Sequence, residues 1–512
     1  MPQDLLSIHA AHAPDKPALV EDGRGRALRS WSFVELDRWS NRLARVLIEL
    51  GVEPLGKVVT CGHNSASLMA AAHGIRRAGA VNVPLNYRLT ADEAAYVVDN
   101  SDATVLYVDA EELPLVDAIR QRVPQVREIL VFDGDGALEA RVEAQPASAP
   151  ERDVAPGVGA SMIYTSGTTG RPKGALRTKV DPALTAGLVA RIGYQPDDIY
   201  LTTGPLYHSG PLGFAVIAHA LGNTVVIQRR FDAEDWLRLV DAHRVSTTFS
   251  APAPIRMICE LAPEIKARYD RSSMRRMIAN AAPWSQTLKR RYLADFPADS
   301  LWEVYGSTEM GVDTVLAPAD QLRKPGSCGL PAPGIEIKLF DDDGVEVTEP
   351  GAAGELYVRS ASMFDTYYKA DDKYEADRRG DFHTVGDIAY RDDEGYLYIA
   401  DRKKDMIISG GMNVYPAEVE AVLEQHPAIL EAAVFAIPSE EWGETVHASV
   451  VLRPGAELGA EEVTAFSRQH LAGYKIPRSV SFHDELPRTG SGKVLKRELR
   501  APWWAGHDPS AG

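Results

Sequence analysis

The chain has 512 residues, with 55 Lys and Arg against 72 Asp and Glu, which gives a formal net charge of −17 at pH 7. This length exceeds what one hydrophobic core supports, so two or more domains are expected. The acidic balance argues against nucleic acid or an anionic membrane surface as the partner. A polyanionic ligand must therefore be held by a local group of donors.

The cysteines and the amino terminus bear on location. Cys61, Cys259 and Cys328 lie far apart and show neither metal-ligand nor disulfide spacing, so we expect a reducing cytoplasm. The first residues lack a basic stretch followed by an apolar core, which predicts no signal peptide. No apolar run approaches the ~20 residues of a membrane-spanning helix.

The first part of the chain alternates between strand and helix patterns. One helical face within residues 36–50 carries Leu36, Trp39, Leu43, Val46, Leu47 and Leu50. Short apolar runs are typical of strands at 58–60, 80–83, 104–108 and 129–132, with helical segments at 91–99 and 113–121. This order predicts βαβ units and a mostly parallel sheet. Residues 139–157, rich in Ala, Pro and Glu, are interpreted as a surface connection.

The α/β pattern resumes after residue 160. Further strands and helices are predicted at 160–164, 223–228, 233–243, 246–249, 285–295 and 301–305. From about residue 334, short alternating runs separated by turn clusters predict antiparallel β structure. Beyond a boundary near Asp401, the pattern is that of a compact α+β unit.

The stretch 163–175 follows an apolar strand and carries four hydroxyl side chains, three early glycines and a lysine. Glycines let successive backbone N–H groups converge on an anion, and the hydroxyls and lysine add donors. The Walker spacing is absent, so this is a phosphate cradle of another kind. The predicted phosphate-binding residues are Thr165, Ser166, Gly167, Thr168, Thr169, Gly170 and Lys173.

Six further motifs follow in order: PLYHSG (205–210), NAAP (280–283), YGSTE (305–309), TVGDIAY (384–390), DRKKDMIISGGMNVYPAEVE (401–420) and PRTGSGKVLKR (487–497). Together with the 163–175 loop they resemble the acyl-adenylate-forming superfamily of acyl-CoA synthetases, luciferases and peptide-synthetase adenylation domains. The resemblance covers nearly the whole chain. It implies an enzyme that uses ATP, Mg²⁺ and CoA, an AMP-forming acid–thiol ligase.

The resemblance also implies a fold. Residues 1–400 would form an adenylation domain of two βαβ-type subdomains and a small β-barrel-like subdomain. Residues 401–404 would form a hinge, with Lys404 as its pivot. Residues 405–512 would form a small mobile α+β domain that carries Lys493.

The nucleotide site is implied residue by residue. Glu309 matches the family's magnesium ligand, and Thr308 lies beside it toward the α-phosphate. Asp387 would accept from both ribose hydroxyls, with Arg402 beside it, although Val385 departs from the family's usual Thr or Ser. Tyr305 should lie against the adenine. The remaining contacts along its edge are expected from Asn280, Ala281, Ala282 and Gly306.

Lys493 would bridge the acid carboxylate and the α-phosphate in the first half-reaction only. Rotation at the hinge would then replace it with the CoA-side residues Ser409, Gly410 and Gly411. His208 resembles the histidine that lines the acyl and thiol end. It is not expected to act as a general base, because a thiol attacking a good leaving group needs little help.

Gly306 bears on the choice of acid, because the acetate-activating branch has a bulky tryptophan at the matching place. An open pocket without an evident cation favours a medium or long fatty acid, with aryl and steroid acids as alternatives. The predicted wall consists of Tyr207, Ser209, Gly210, Phe214, Ala281, Ala282, Trp284, Gly306, Met310 and Val315. CoA is the preferred acceptor. An acyl-AMP ligase that serves a separate carrier protein is the runner-up, and a non-catalytic nucleotide-binding protein ranks last. A homodimer is compatible with the sequence.

Overall fold

A computed structural model describes residues 4–23, 28–151, 160–165, 171–282, 284–403, 405–409, 412–439, 442–488 and 494–505. Its strands are β1 (Pro17–Glu21), β2 (Arg29–Ser32), β3 (Lys57–Cys61), β4 (Val81–Leu85), β5 (Val105–Asp109), β6 (Glu128–Phe132), β7 (Ser161–Thr165), β8 (Lys173–Arg177), β9 (Ile199–Thr202), β10 (Thr224–Ile227), β11 (Thr247–Ser250), β12 (Arg276–Ala279), β13 (Leu301–Ser307), β14 (Gly311–Leu316), β15 (Leu330–Pro331), β16 (Glu336–Phe340), β17 (Gly354–Arg359), β18 (Thr366–Tyr367), β19 (Arg378–Arg379), β20 (Phe382–His383), β21 (Asp387–Arg391), β22 (Leu397–Arg402), β23 (Ile407–Ser409), β24 (Met412–Val414), β25 (Ile429–Ser439), β26 (Gly443–Leu452) and β27 (Ser479–His483). Its α-helices are α1 (Leu5–His12), α2 (Phe33–Glu49), α3 (Ala66–Arg77), α4 (Ala91–Asn100), α5 (Leu113–Ile119), α6 (Ala137–Glu143), α7 (Pro182–Ile192), α8 (Ser209–Ala220), α9 (Ala233–His243), α10 (Pro252–Cys259), α11 (Pro263–Lys266), α12 (Gln286–Asp295), α13 (Asp371–Ala376), α14 (Pro416–Leu423), α15 (Ala460–His470) and α16 (Lys496–Trp504).

The strands of two large sheets lie between Pro17 and Tyr367. One has seven strands in the order β18-β8-β7-β4-β3-β5-β6, and the other has nine in the order β15-β14-β13-β12-β11-β9-β10-β1-β2. Pairing is parallel from β7 through β4, β3 and β5 to β6, and from β13 through β12, β11, β9 and β10 to β1. The predicted parallel βαβ units are therefore confirmed.

A core shared by both sheets is filled by α2, α3 and α8. Leu43 of α2, Ile75 of α3 and Phe214 of α8 belong to this one buried cluster, together with side chains from both sheets. Helix α2 starts with a capping box, in which Ser32 and Glu35 satisfy each other's backbone N–H groups. Its apolar face then packs on α3, as the periodicity predicted.

A six-stranded antiparallel sheet follows, with β17 paired to β16, β20 and β21, and β21 paired to β22. Strand β22 ends at Arg402, and β23 begins a separate five-stranded sheet covered by α14, α15 and α16. This large mixed α/β part with a small α+β part at the carboxyl end confirms the predicted fold class.

Two segments differ from the sequence-based expectation. The connection predicted at 139–157 overlaps α6, because Leu138 and Val142, four residues apart, are buried on one helical face. Helix α8 was not predicted, because its residues SGPLGFAVIAHA combine two glycines, a proline and no charged residue. In the part of the chain that the structure describes, each helix is too short or too polar to cross a lipid bilayer.

Candidate active site

A cavity of about 2380 Å³ is lined by residues from both large sheets. Thr165, Lys173, Glu309 and Arg402 line one polar part of it, and residues of α7 and α8 line an apolar part. Lys173 and Arg177 both belong to β8, where alternate residues share a face, so the strand presents two cations to the same space. Polar and apolar walls thus meet in one cavity.

The carboxylate of Glu309 is buried and held by two hydroxyls. Oε1 accepts hydrogen bonds from Thr165 Oγ1 at 3.0 Å and from the Tyr367 hydroxyl at 3.1 Å. Burial and the Glu309 charge raise the pKa of Tyr367, which keeps that hydroxyl a donor. The sequence pointed to Glu309 and Thr165 but not to Tyr367, which lies far along the chain on β18.

Arg177 supports the same loop from behind. Its Nη2 donates to the backbone carbonyl of Thr308 at 3.1 Å and to that of Glu309 at 3.3 Å. Burial lowers the pKa of Arg177, and the neighbouring Asp313 and Asp365 carboxylates oppose that shift. The guanidinium therefore stays charged and fixes the backbone on which Glu309 stands. No family motif drew attention to it.

Asp313 is a buried acid that the sequence did not single out. Strand β14 bulges against β13 between its pairings with Tyr305 and Gly306, and Asp313 is the extra residue. Burial, followed by the Asp387 charge, raises the pKa of its carboxyl well above the ordinary value. Neither carboxyl oxygen has a hydrogen-bond partner within the described residues. Burial therefore favours the neutral form of Asp313, and the nearby Arg177 guanidinium acts in the opposite direction.

Asp387 and Arg402 face each other across β21 and β22, which are paired in antiparallel register. Arg402 Nε lies 2.9 Å from Asp387 Oδ1, and the Tyr305 hydroxyl donates to Oδ2 at 2.5 Å. The predicted grouping of these residues thus exists. Of this group only Arg402 lines the cavity: Asp387 is buried behind it, and the Tyr305 ring packs against the core of the six-stranded sheet.

His208 caps the amino end of α8, next to a hydroxyl pair. Ser209 Oγ and Thr308 Oγ1 lie 2.9 Å apart, which ties α8 to the YGSTE loop. Burial, with a smaller effect of Arg88, lowers the pKa of His208 to about 4, so the imidazole is neutral at pH 7. Its Nε2 is buried and has no partner in the described ranges.

Some of the residues predicted to form the acid pocket line the cavity, and others do not. The residues that do line it are Ser209, Gly210, Phe214, Ala281, Gly306 and Met310. Four others do not: Tyr207 packs between Tyr87 and His208, Trp284 stacks edge-on against Tyr292, Val315 lies in the shared core, and Ala282 stands outside the wall. The aromatic rings of Tyr207 and Trp284 pack against neighbouring rings and so do not form the surface of the cavity.

Gly306 lines the cavity with its backbone, but a side chain added at this position would not point into the open part of the pocket. A Cβ added there would run into the carbonyl oxygen of Gly311, across the bulge. A larger residue must therefore displace β14 before it can fill the pocket, contrary to our expectation. Gly213 of α8 lines the same cavity, and a Cβ added there meets nothing within 4 Å.

The rest of the nucleotide edge is described in part. Asn280 Nδ2 donates to the carbonyl of Val304 at 2.6 Å, and Ala281 adopts a left-handed φ of 72° at the cavity wall. Ser409 is buried on β23 and does not line the cavity. The predicted residues that fall outside the described ranges are Ser166, Gly167, Thr168, Thr169, Gly170, Lys404, Gly410, Gly411 and Lys493.

Comparison with known proteins places the chain. Residues 6–368 match the family model described as AMP-binding enzyme, and residues 418–493 match the one described as AMP-binding enzyme C-terminal domain. The chain belongs to the AMP-binding enzyme family. The predicted acyl-adenylate-forming superfamily and the predicted enzyme class, an AMP-forming acid–thiol ligase, are thereby confirmed.

Three similar proteins illustrate the family. The chain is 34% identical to the fatty acid–[acyl-carrier-protein] ligase ScoC of Streptomyces coeruleorubidus, covering 97% of this chain and 95% of that protein. It is 36% identical to the indoleacetate–CoA ligase of Aromatoleum aromaticum, covering 97% of each. The crystal structure of ATP-bound MatB from Rhodopseudomonas palustris matches with a TM-score of 0.87 at 28% identity, covering 98% of each chain.

Proposed function

We propose that this enzyme is an acyl-CoA synthetase that acts on a bulky apolar carboxylic acid. A carboxylate oxygen of the acid attacks the α-phosphorus of ATP, and pyrophosphate leaves. The sulfur of CoA then attacks the acyl carbon of the acyl-adenylate, and AMP leaves with the thioester formed. The observation that carries the proposal is the single cavity, in which a cationic and carboxylate-bearing end continues into an apolar channel.

ATP would bind at the polar end. Lys173 and Thr165 would hold the β- and γ-phosphates with residues 166–170, and the Asp387 carboxylate, oriented by Arg402, would accept from the ribose hydroxyls. Glu309 fits a magnesium ligand, because it is a hard oxygen donor fixed by two hydroxyls at the cavity wall. When bound there, magnesium supplies positive charge that screens the phosphates of ATP.

A single protein carboxylate agrees with this assignment. Magnesium keeps waters and phosphate oxygens as ligands and needs one or two carboxylates from the protein. Within the described ranges, no cluster of three or more His, Cys, Asp or Glu side chains is arranged to hold a metal.

The carboxylate of the acid would lie near Thr308 and Ser209, where the hydroxyl pair offers donors. Lys493 would bring the charge that lets two anionic reactants approach. The neutral His208 would line the thiol end. We assign the adenylation domain to residues 1–400, the hinge to 401–404 and the mobile domain to 405–512, with Ser409, Gly410 and Gly411 facing the cavity in the second half-reaction.

The acid class follows from α8. Ten of its 12 residues line the cavity, along a helix that is about 18 Å long at the usual rise. Leu212, Phe214, Val216 and Ile217 contribute to this wall. A long acyl chain would bury its methylenes here, at about 0.8 kcal/mol each. Aryl acids would fill only the part nearest Ser209.

The acceptor requires its own test, because ScoC, a fatty acid–[acyl-carrier-protein] ligase, is similar over nearly its full length. Purified enzyme with ATP, Mg²⁺ and a panel of fatty and aromatic acids is offered either CoA or a phosphopantetheine-loaded carrier protein, and products are read by mass. We expect acyl-CoA from long apolar acids. Acylated carrier protein without acyl-CoA would establish the carrier-protein ligase instead.

A further inference from the structure

The cavity does not end where its apolar walls end. At the carboxyl end of α8 it reaches a polar group of side chains from α1, α3 and α8, together with Asp4, the residue that caps α1. The members of this group that line the cavity are Asp4, Ser7, His73, Arg76, Arg77 and His219. Neither the proposed adenylation chemistry nor the handling of CoA uses any of them.

Two buried histidines, His219 and His73, form a chain of hydrogen bonds that ends at this wall. His219 Nε2 lies 3.0 Å from the carbonyl oxygen of Ala18, and His219 Nδ1 lies 2.9 Å from His73 Nε2. A carbonyl only accepts, so His219 carries its proton on Nε2 and its Nδ1 accepts. His73 therefore carries its proton on Nε2. Its Nδ1 is left as an acceptor, with no partner within the described residues.

Both histidines are neutral at pH 7, as the hydrogen bonds between them require. Burial lowers the pKa of His219 to about 4, and burial followed by the His219 ring lowers that of His73 well below its ordinary value. The tautomers thus follow from the network itself. His73 lines the cavity, and this network leaves the lone pair of its Nδ1 unused.

Donors stand beside that acceptor. Arg76 lies three residues after His73, on the same helical face, and its Nη2 contacts Asp4 at 2.6 Å. Arg77 is fully occupied by Asp4, Asp37 and Asn41. The remaining N–H groups of Arg76 have no partner in the described part of the chain.

The charges of this group balance. Arg76 and Arg77 stand against the ionised Asp4 and Asp37. An anionic group would meet the Asp4 carboxylate and the His73 lone pair, and a cationic group would meet two guanidiniums. A hydroxyl both donates to His73 Nδ1 and accepts from Arg76, and it carries no charge to be compensated.

We propose that this end of the cavity binds the far end of the acyl chain of the acid substrate. The site recognises a neutral hydroxyl group carried there. The inference rests on the proposed function and adds a substrate class to it, the long-chain hydroxy acids. A site built to hydrogen-bond a substrate hydroxyl discriminates strongly against the analogue that lacks it, because its own polar groups are then left unpaired.

The first test needs no variant. Acyl-CoA formation is measured with dodecanoic, tetradecanoic and hexadecanoic acids and with their ω-hydroxy counterparts. At the length that spans the cavity, we expect kcat/KM to be about tenfold higher for the hydroxy acid. Equal or lower values for the hydroxy acid at all three lengths would overturn the proposal while leaving the synthetase activity established.

Variants then locate the effect. His73→Leu should remove the preference for the hydroxy acid and leave kcat/KM for the plain acid within about twofold, whereas His73→Asn, which keeps an acceptor, should restore part of it. The control is His9→Leu, since His9 Nε2 bonds the carbonyl of Ala220 at 2.9 Å but does not line the cavity. Equal losses for both acids in His73→Leu would contradict a binding role.

Binding of the acids without turnover separates the two proposals. Isothermal titration of the enzyme with each acid should show tighter binding of the hydroxy acid to the unaltered chain and not to His73→Leu. If no acid gives acyl-CoA, the proposed function fails, and this titration still decides the far site. Equal affinities of the unaltered enzyme for the two acids would contradict the proposed hydroxyl site.

Discussion

Tyr367 donates a hydrogen bond of 3.1 Å to Oε1 of Glu309, the oxygen that also accepts from Thr165. This contact joins β18, at the edge of the seven-stranded sheet, to the YGSTE loop. It fixes the carboxylate proposed to hold magnesium. A hydrogen bond to a charged group contributes about 1.5–3 kcal/mol, so its removal should be measurable in turnover.

Tyr367→Phe should lower kcat/KM for ATP about tenfold and raise the magnesium concentration needed for half-maximal activity. Acid-dependent pyrophosphate–ATP exchange as a function of magnesium concentration measures both. The matched control is Tyr368→Phe, because that neighbouring hydroxyl bonds Asp102 at 2.7 Å and stands outside the cavity wall. An identical magnesium dependence in Tyr367→Phe and the unaltered enzyme would contradict the role given to Glu309.

A large side chain at Gly213 should shorten the acid channel without displacing neighbouring residues. A side chain at this position enters open space on α8, so Gly213→Trp should favour short acids over long ones by about tenfold or more. Gly306→Trp should instead lower activity with all acids, because its side chain displaces β14. The measurement is kcat/KM for hexanoic and hexadecanoic acids with both variants. A length-selective effect of Gly306→Trp alone would reverse our assignment of the channel.

The two half-reactions should separate in variants of the carboxyl-terminal part. Lys493→Ala should abolish adenylate formation and spare thioester formation from supplied acyl-adenylate. Arg256→Ala should also impair the first half-reaction more than the second, but more weakly. Arg256 on α10 lies 3.7 Å from Glu431 on β25, so this ion pair helps to hold the carboxyl-terminal part in place for the first step. Glu431 also pairs with Arg488, which lines the cavity shortly before Lys493.

A control tests whether charge removal alone produces that split. Arg268→Ala removes an exposed guanidinium that pairs with Glu234 within the large part of the chain, so both half-reactions should be unchanged. Equal loss in both half-reactions for Lys493→Ala would defeat the argument that its charge serves the first step only.

The depressed pKa of His208 makes a prediction about stability. Its pKa of about 4 lies below the 6.5 of an ordinary histidine, so the unfolded chain takes up the proton first as the pH falls. The contribution of His208 to the free energy of unfolding is therefore present above pH 6.5 and is lost between 6.5 and about 4. His208→Gln escapes this loss.

The Tm of His208→Gln minus that of the unaltered protein should thus rise as the pH is lowered through this window. Thermal unfolding at a series of pH values provides the measurement. A flat difference for His208→Gln would mean that His208 is not buried in its neutral form.

Much of the fold could be predicted, because local patterns carry it. The apolar runs that became β3 to β6 and the face of α2 are short-range signals, and capping at Ser32 reinforces them. Helix α8 was missed because both of its faces are buried or line the cavity, so no polar stripe reveals its period.

The site residues could be predicted where they belong to recognisable motifs. They could not be predicted where residues outside those motifs contact the site only in the folded chain. Asp387 and Arg402 were expected together, and the register of β21 and β22 brings them together. Tyr367 and Arg177 act on Glu309 and its loop through tertiary contacts that leave no local trace. Tyr207 and Trp284 were assigned to the pocket by their apolar character, but the same character buries them in cores.

If this cavity activates a carboxylic acid with ATP, the purified enzyme must catalyse acid-dependent exchange of labelled pyrophosphate into ATP. The assay uses the purified full chain, magnesium and a panel of short, long and aromatic acids, without CoA. We expect exchange with long apolar acids, weak exchange with acetate, and none in the absence of acid. No exchange with any acid in the panel would contradict this activity.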